Sequence, residues 1–313
     1  MNRREFVALA AAAPFGVRAA LAAATAAPYA LVTSDDESRL AVVDLAGFRV
    51  VRWIATPAGP RAIERVGTRA VVAHWSLGSV SIVDAHRTLH VIEDAGDPRY
   101  AAAHPDGVHA FVTDASYGLV VVDVLRGRMV GRVKLPGWPR HVSLDPSGKT
   151  LWVGLGTSST QVAVVDVTDP RRPTRTALVT PPFRAHDVGF SPDGRAVWVT
   201  AGVAGETAIY RRDGKLLRTL QADAAPQHVT FGSAAAYVTS GDSGTLRVHS
   251  RATGRVVRTT PIPNGSYNVQ HGAGRVITPS LAQGTLTILD SRGALLASVH
   301  VADSCHDACF APV

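Results

Sequence analysis

A six-residue segment recurs seven times at intervals near forty residues, and few folds can accommodate that. The copies are PRAIER from Pro60, PRYAAA from Pro98, PRHVSL from Pro139, AHDVGF from Ala185, PQHVTF from Pro226, SYNVQH from Ser266 and CHDACF from Cys305. Their spacings are 38, 41, 46, 41, 40 and 39 residues, and the longest contains the insertion DPRRP at Asp169 to Pro173. Three copies run into a tight turn in the same register, HPDG, DPSG and SPDG, ending at Gly107, Gly148 and Gly194. Proline and glycine preset the backbone angles such reversals need. A β-branched and aromatic run follows: AFVTD, LWVGL, VWVTA, AYVTS or RVITP. A third run ends in Asp, as in GLVVVD and TLTILD, and a fourth such as MVGRVKL completes the unit.

Four short strands in about 40 residues, repeated without intervening helical periodicity, are the mark of a β-propeller. The predicted fold is all-β: a seven-bladed propeller of four-stranded antiparallel blades spanning residues 28–313. The segment YALVTS at Tyr29 matches the second strand of a unit, so the N-terminus lacks a first strand, and CHDACFAPV is a first strand with nothing after it. Pairing the two closes the ring and removes two sheet edges that would otherwise invite aggregation. Composition agrees with one well-packed domain, 46% hydrophobic and 18% charged. The net charge of +7 is scattered arginine with no basic run interleaved with aromatics, which argues against nucleic-acid binding.

SPDGRAVWVT, HPDGVHAFVT and the AYVTS segment with its following Val-rich run ending in Asp resemble the YVTN or YncE-type repeats of exported seven-bladed propellers. The resemblance covers Tyr29 to Val313. It implies the fold but spans binding proteins, surface proteins, lactonase-like enzymes and haem- or metal-handling relatives. No WD40 Gly-His and Trp-Asp pair recurs.

Residues 1–27 read as a targeting segment. Arg3 and Arg4 precede Phe6 and Val7 and an alanine-rich stretch, a pattern that resembles the twin-arginine export signal, with small residues suitable for cleavage near Pro28. The expectation is a periplasmic or secreted protein, monomeric, without a transmembrane segment in the mature chain; Arg18 interrupts the one apolar stretch.

Inner strands of a propeller all start on one face, so their first residues ring the mouth of the central channel. The second positions are Arg61, Arg99, Arg140, His186, Gln227, Tyr267 and His306; the third are Ala62, Tyr100, His141, Asp187, His228, Asn268 and Asp307. The fourth is Ile, Ala or Val throughout. A polar ring over an apolar one either simply lines a wet channel or converges on a ligand. Two ligand chemistries fit. His186, His228 and His306 with Asp187 and Asp307 form a candidate set for a divalent transition metal, since imidazole and carboxylate suit Zn, Cu or Ni. Arg61, Arg99 and Arg140 form a basic sector able to hold a carboxylate or phosphate bidentately. Tyr100, His141, Gln227, Tyr267 and Asn268 complete the candidate ligand-binding ring. His74, Trp75, Asp114, Tyr117 and Asp242 are expected on the rim, and the SDDE run at Ser34 to Glu37 as a solvated loop.

No disulfide is expected between the two cysteines, Cys305 and Cys309, which are four residues apart on one strand, about 13 Å at the usual rise. That exceeds the separation of about 7 Å that a disulfide spans. Cys309 is expected to pack as a small hydrophobe. Cys305, at the mouth beside His306, is a candidate soft ligand or a free thiol. The chain carries no C-x-x-C-H, G-x-S-x-G, Walker or dinucleotide motif. Three functions follow: a ligand-binding propeller whose ligand is a metal ion, a metal-bearing cofactor or an anionic small molecule; a lactonase-like hydrolase using His186 or His228 as base with the arginines polarising a carbonyl; and a platform for a protein partner.

Overall fold

The computed structural model describes residues 28–311 apart from 117, 157, 158 and 223. The candidate signal segment, Tyr117 and the last two residues therefore lie outside the described residues. Twenty-eight strands, β1 to β28 in chain order, form seven four-stranded antiparallel sheets. The protein is an all-β, seven-bladed propeller. Six blades are consecutive in sequence, from β4–β7 to β24–β27, and their inner strands are β4 (Pro60–Val66), β8 (Pro98–Ala103), β12 (Val142–Leu144), β16 (Asp187–Phe190), β20 (Val229–Phe231) and β24 (Gln270–Gly272).

The closing blade has the order β28-β1-β2-β3, with β28 at Ala308–Phe310, β1 at Tyr29–Ser34, β2 at Arg39–Asp44 and β3 at Arg49–Ala55. Its register pairs Ala30 with Phe310, Leu31 with Cys309 and Val32 with Ala308, as the repeat alignment requires. Two backbone bonds extend the seam, Thr33 N–H to the Asp307 carbonyl at 2.9 Å and Ala311 N–H to the Tyr29 carbonyl at 2.8 Å.

Burial grades outward across each blade. The second strand of the second blade, β5 (Arg69–His74), is buried at five of its six positions, whereas an outer strand such as β15 (Thr174–Val179) is exposed at five of six. The aromatic of the second-strand run packs between blades: Phe111, Trp152, Trp198 and Tyr237 are at most 1% exposed. Trp152 meets Phe190 and Tyr210 at ring distances of 6.2 and 5.7 Å, edge-on or tilted, as aromatic pairs prefer. The pairing of third with fourth strand slips by one residue in every blade, for example between Val42 and Val43 and between Val164 and Val165. Such bulges increase the twist and blunt the exposed edge. Gly107, Gly148 and Gly194 take φ of 68°, 74° and 64°, the left-handed conformation that makes their shared turn a glycine position.

Candidate functional site

The two His-Asp pairs clamp blades together. His186 Nδ1–H donates to the Gln227 carbonyl of the next blade at 3.1 Å, and Arg140 Nη2 donates to the ring's Nε2 at 2.7 Å. Asp187 accepts its neighbour Val188 N–H at 2.6 Å and Val229 N–H of the next blade at 2.8 Å. The second pair repeats this across the seam of the ring. His306 Nδ1–H donates to the Arg61 carbonyl at 3.0 Å, and Asp307 accepts Ala308 N–H at 2.8 Å and Ile63 N–H at 3.0 Å. The threonines of the VT segments do related work: Thr113, for one, donates to the Arg140 carbonyl of the next blade at 2.8 Å. Asn268 makes its own inter-blade bond, donating to the His306 carbonyl at 2.8 Å. Much of the polar ring thus satisfies main-chain groups that blade packing would leave unpaired.

His141 and His228 stand apart from that pattern. Their second-position neighbours are Arg140 and Gln227, and the Nδ1 atoms of both rings face Asp187. His141 Nδ1 contacts Asp187 Oδ1, and His228 Nδ1 lies 3.4 Å from Asp187 Oδ2. Both nitrogens are shut off from solvent, and the Asp187 carboxylate is the group each of them faces. One ligand atom from each of His141, Asp187 and His228 falls within 4.8 Å of the others. Burial alone would raise the Asp187 carboxyl, but the imidazoles of His141 and His228 outweigh it and hold it well below the usual carboxylate range. Burial depresses His228 to about 4 and His186 and His306 well below the ordinary imidazole value. The neck therefore offers an ionised carboxylate beside a neutral His228 imidazole, the protonation state that metal ligation requires. Ligands bonded at about 2.0–2.2 Å to one tetrahedral ion sit roughly 3.5 Å apart, which the His228 Nδ1–Asp187 Oδ2 separation of 3.4 Å already matches, whereas His141 would have to draw back from Asp187 to admit an ion.

The Tyr100 ring caps this neck. Its centroid lies 4.6 Å from that of His141, 5.7 Å from His228 and 6.2 Å from His306, rings from three other blades. Burial pushes its hydroxyl up to about 12. Beneath lies a cavity of about 240 Å³, walled by His141, Asp187 and His228 together with Asp307 and Glu64. Glu64 holds the fifth position of its inner strand, and burial raises it to about 8. A reading confined to second and third positions passes it over; as the one charged residue at any fifth position, it carried a readable signal.

Above Tyr100, the arginines line a separate mouth cavity with Trp138 and His306. Arg61 Nη1 bonds Asp35 at 3.2 Å and Arg99 Nη2 bonds Asp97 at 3.1 Å. Both guanidiniums sit over the Trp75 ring, at 5.2 and 5.4 Å. Arg140 is turned to His186, and its Nε is buried with no partner. On the far wall, Gln227 Oε1 accepts Gly241 N–H at 2.6 Å, while Gln227 Nε2 and the Tyr267 hydroxyl each donate to Asp242 at 2.9 Å. Gly202, at φ 77°, lets its loop lie against His186, where a Cβ would come within 2.5 Å of the ring.

Several expectations change in the light of this geometry. The structure draws His141 into the imidazole–carboxylate cluster, while His186 has both ring nitrogens engaged by Arg140 and Gln227, and Asp307 serves the seam. His74 is not on the rim: it is wholly buried, bonding the Ala58 carbonyl at 3.1 Å and Ser81 Oγ at 2.7 Å. Asp114 is also buried, organising its loop through Asp97 N–H at 2.7 Å and Ser116 N–H at 2.9 Å. The SDDE run is more than a solvated loop, because Asp35 reaches Arg61 and burial lifts it to about 7. Both cysteines are free, and Cys305 packs in the apolar cluster between the closing blade and its neighbour. Burial first, and nearby carboxylates after it, push that thiol up to about 12, which disfavours the thiolate a soft ligand needs. A second His-Asp-His group, His104, Asp106 and His109, occupies the turn after β8, where its members are already engaged: Asp106 accepts from His109 Nδ1 at 2.7 Å, and His104 Nε2 donates to the Gly148 carbonyl of the next blade's turn at 3.1 Å.

No protein-family profile matches the chain, and no curated protein does. Solved structures do. A functionally unknown protein from Desulfotomaculum acetoxidans superposes with a TM-score of 0.77 at 12% identity, covering 90% of this chain and 98% of its own. A protein from Bacteroides fragilis described as a candidate 6-phosphogluconolactonase gives 0.73 at 14% identity, covering 92% and 99%. Hydrazine synthase from Kuenenia stuttgartiensis gives 0.69 at 18% identity, covering 79% and 88%. At these identities the likeness establishes the seven-bladed propeller fold and nothing narrower.

Proposed function

We propose that this chain is an exported propeller that binds one divalent transition-metal ion in the neck of its channel. His141 Nδ1, His228 Nδ1 and an Asp187 oxygen are the protein ligands, leaving a position open to water or a small molecule. The observation that carries this reading is the convergence of two buried imidazole nitrogens, those of His141 and His228, on the one Asp187 carboxylate. A divalent cation held between them would be ligated by all three groups at once. Two imidazoles and a carboxylate suit Zn, Cu(II) or Ni rather than Mg or Ca. A lactonase-like hydrolase receives less support: a base held near 4, as His228 is, is a weak one at neutral pH.

The test is metal analysis of untagged protein recovered from the periplasm, followed by titration of chelator-treated protein with Zn, Cu(II) and Ni. One equivalent should bind, and His141→Ala and His228→Ala should each weaken binding by at least tenfold. Protein with no metal on isolation and no affinity tighter than about 100 μM, roughly 5.5 kcal/mol, would remove the proposal.

A further inference from the structure

We infer that the mouth above Tyr100 is a second site, independent of the neck, that binds a small molecule carrying at least two negative charges on carboxylate or phosphate groups. Arg61, Arg99 and Arg140, from three consecutive blades, wall one cavity with Tyr100, Trp138 and His306. That cavity, of about 150 Å³, adjoins another of about 250 Å³ that shares Arg61, Tyr100, Arg140 and His306. The space suits a metabolite-sized ligand and not a polymer.

The guanidiniums are placed but not saturated. Each carries five N–H donors. The side-chain bonds they make take one nitrogen apiece, to Asp35, Asp97 and His186. Among the described residues Arg140 meets no carboxylate, and its buried Nε has no partner. A permanent cation so placed is the kind of group an oxyanion completes bidentately. Trp75, beneath both Arg61 and Arg99, holds the two forks in place by cation–π contact, so less side-chain freedom is lost when a ligand arrives. His306 spends Nδ1–H on the Arg61 carbonyl, which leaves Nε2 as an acceptor for a ligand hydroxyl.

The competing negative charge is limited. Asp35 is raised to about 7 by burial, against the pull of Arg61, and so is only partly ionised at neutral pH. Asp242 is shared between Gln227 and Tyr267 across the cavity. Tyr100 walls the cavities on both sides, and although His228 borders the larger mouth cavity, the cavity that holds the three arginines contains none of His141, Asp187 and His228. Occupancy of the mouth therefore does not depend on a metal in the neck.

The experiment is isothermal titration of the full mature chain, metal-loaded and chelator-treated, with succinate, citrate, inorganic phosphate and phenyl phosphate, and with succinamide as the neutral control. At least one dianion should bind one-to-one with a Kd below about 1 mM, roughly 4 kcal/mol, equally in both forms. Succinamide should not bind, and raising the salt should weaken the dianion. The carboxylate and phosphate arms identify the ligand group. Arg140→Gln should weaken binding at least tenfold, and so should Arg99→Gln, which leaves the His186 contact in place if the first variant fails to fold. Binding that vanishes with the metal and ignores both arginine variants would overturn the inference, as would the absence of any dianion binding below 10 mM. Metal content measured in the same samples keeps either failure distinct from a failure of the neck site.

Discussion

Asp187 and Asp307 provide an internal control, because they make the same main-chain contacts and differ only in what faces them. Each accepts the N–H of the next residue and the fourth-position N–H of the next blade. Asp187 alone also faces two imidazole nitrogens, those of His141 and His228. Replacing either by Asn leaves one acceptor oxygen for two donors, so one buried N–H loses its partner at a cost of about 1–3 kcal/mol. With an unfolding entropy of about 2.1 cal/mol/K per residue over roughly 280 ordered residues, or 0.6 kcal/mol/K, that lowers Tm by about 2–5 °C. Both variants should show this loss in the metal-free form, measured by calorimetry after chelation. Zinc at a hundredfold excess over Kd adds about 2.7 kcal/mol, or 4–5 °C. Wild type and Asp307→Asn should gain that increment; Asp187→Asn should not. If Asp307→Asn also loses it, the ion is held by the wider set of His186, His306 and Asp307, and the triad is wrong. If Asp187→Asn keeps it, no ion is bound at the neck.

Three further outcomes follow from the same geometry. Removing the chain from Cys305 onward deletes β28 and the seam bonds of Asp307, and should abolish the cooperative thermal transition rather than merely shift it. Native protein should leave both thiols unreactive to Ellman's reagent, with two reacting after denaturation, since Cys305 and Cys309 are 0% and 3% exposed; rapid native reaction would place them elsewhere. Between about pH 7.5 and 8.5 stability should fall as pH rises. Asp35 and Asp307, near 7, and Glu64, near 8, lie above their unfolded values of 3.8 and 4.5, so unfolding releases their protons throughout that window. His74 and His228, depressed to about 4, and His186, His306, His249 and His271, also lowered by burial, act in the opposite sense, an effect that fades only about a pH unit above their unfolded value of 6.5. The slope is at most about 1.4 kcal/mol per pH unit per proton, and Glu64→Gln should flatten it near pH 8; a rise in stability across the window would contradict the assignment.

The blades were legible because one unit is written seven times. Prolines and glycines at fixed offsets set the turns, and the aromatic of each VT run marks the inter-blade packing position that Phe111, Trp152, Trp198 and Tyr237 fill. The ring closure was legible too, since YALVTS lacks a first strand and CHDACFAPV is one. Burial of His74 was not, because the bonds that account for it come from Ala58 and Ser81, residues on neighbouring segments whose approach depends on strand register.

The mouth ring could be listed from the repeat alignment, but its division of labour could not. The repeated His-Asp pair looked like the exceptional feature, whereas in the structure it recurs because it does the same main-chain work twice. In both blades the histidine reaches the second-position carbonyl of the next blade and the aspartate its fourth-position N–H. What distinguishes Asp187 is not its own motif but its flanking blades, which each bring a third-position imidazole, His141 on one side and His228 on the other. Asp307 has Asn268 and Ala62 in those places. A carboxylate between two imidazoles is thus a property of three successive repeats together, and no single repeat contains it. The same holds for the arginines, whose significance lies in three consecutive second positions meeting over one cavity floored by Tyr100. In a closed ring, chemistry is set by the order of the blades, so comparing each third-position residue with those one repeat before and after is the step that exposes the site.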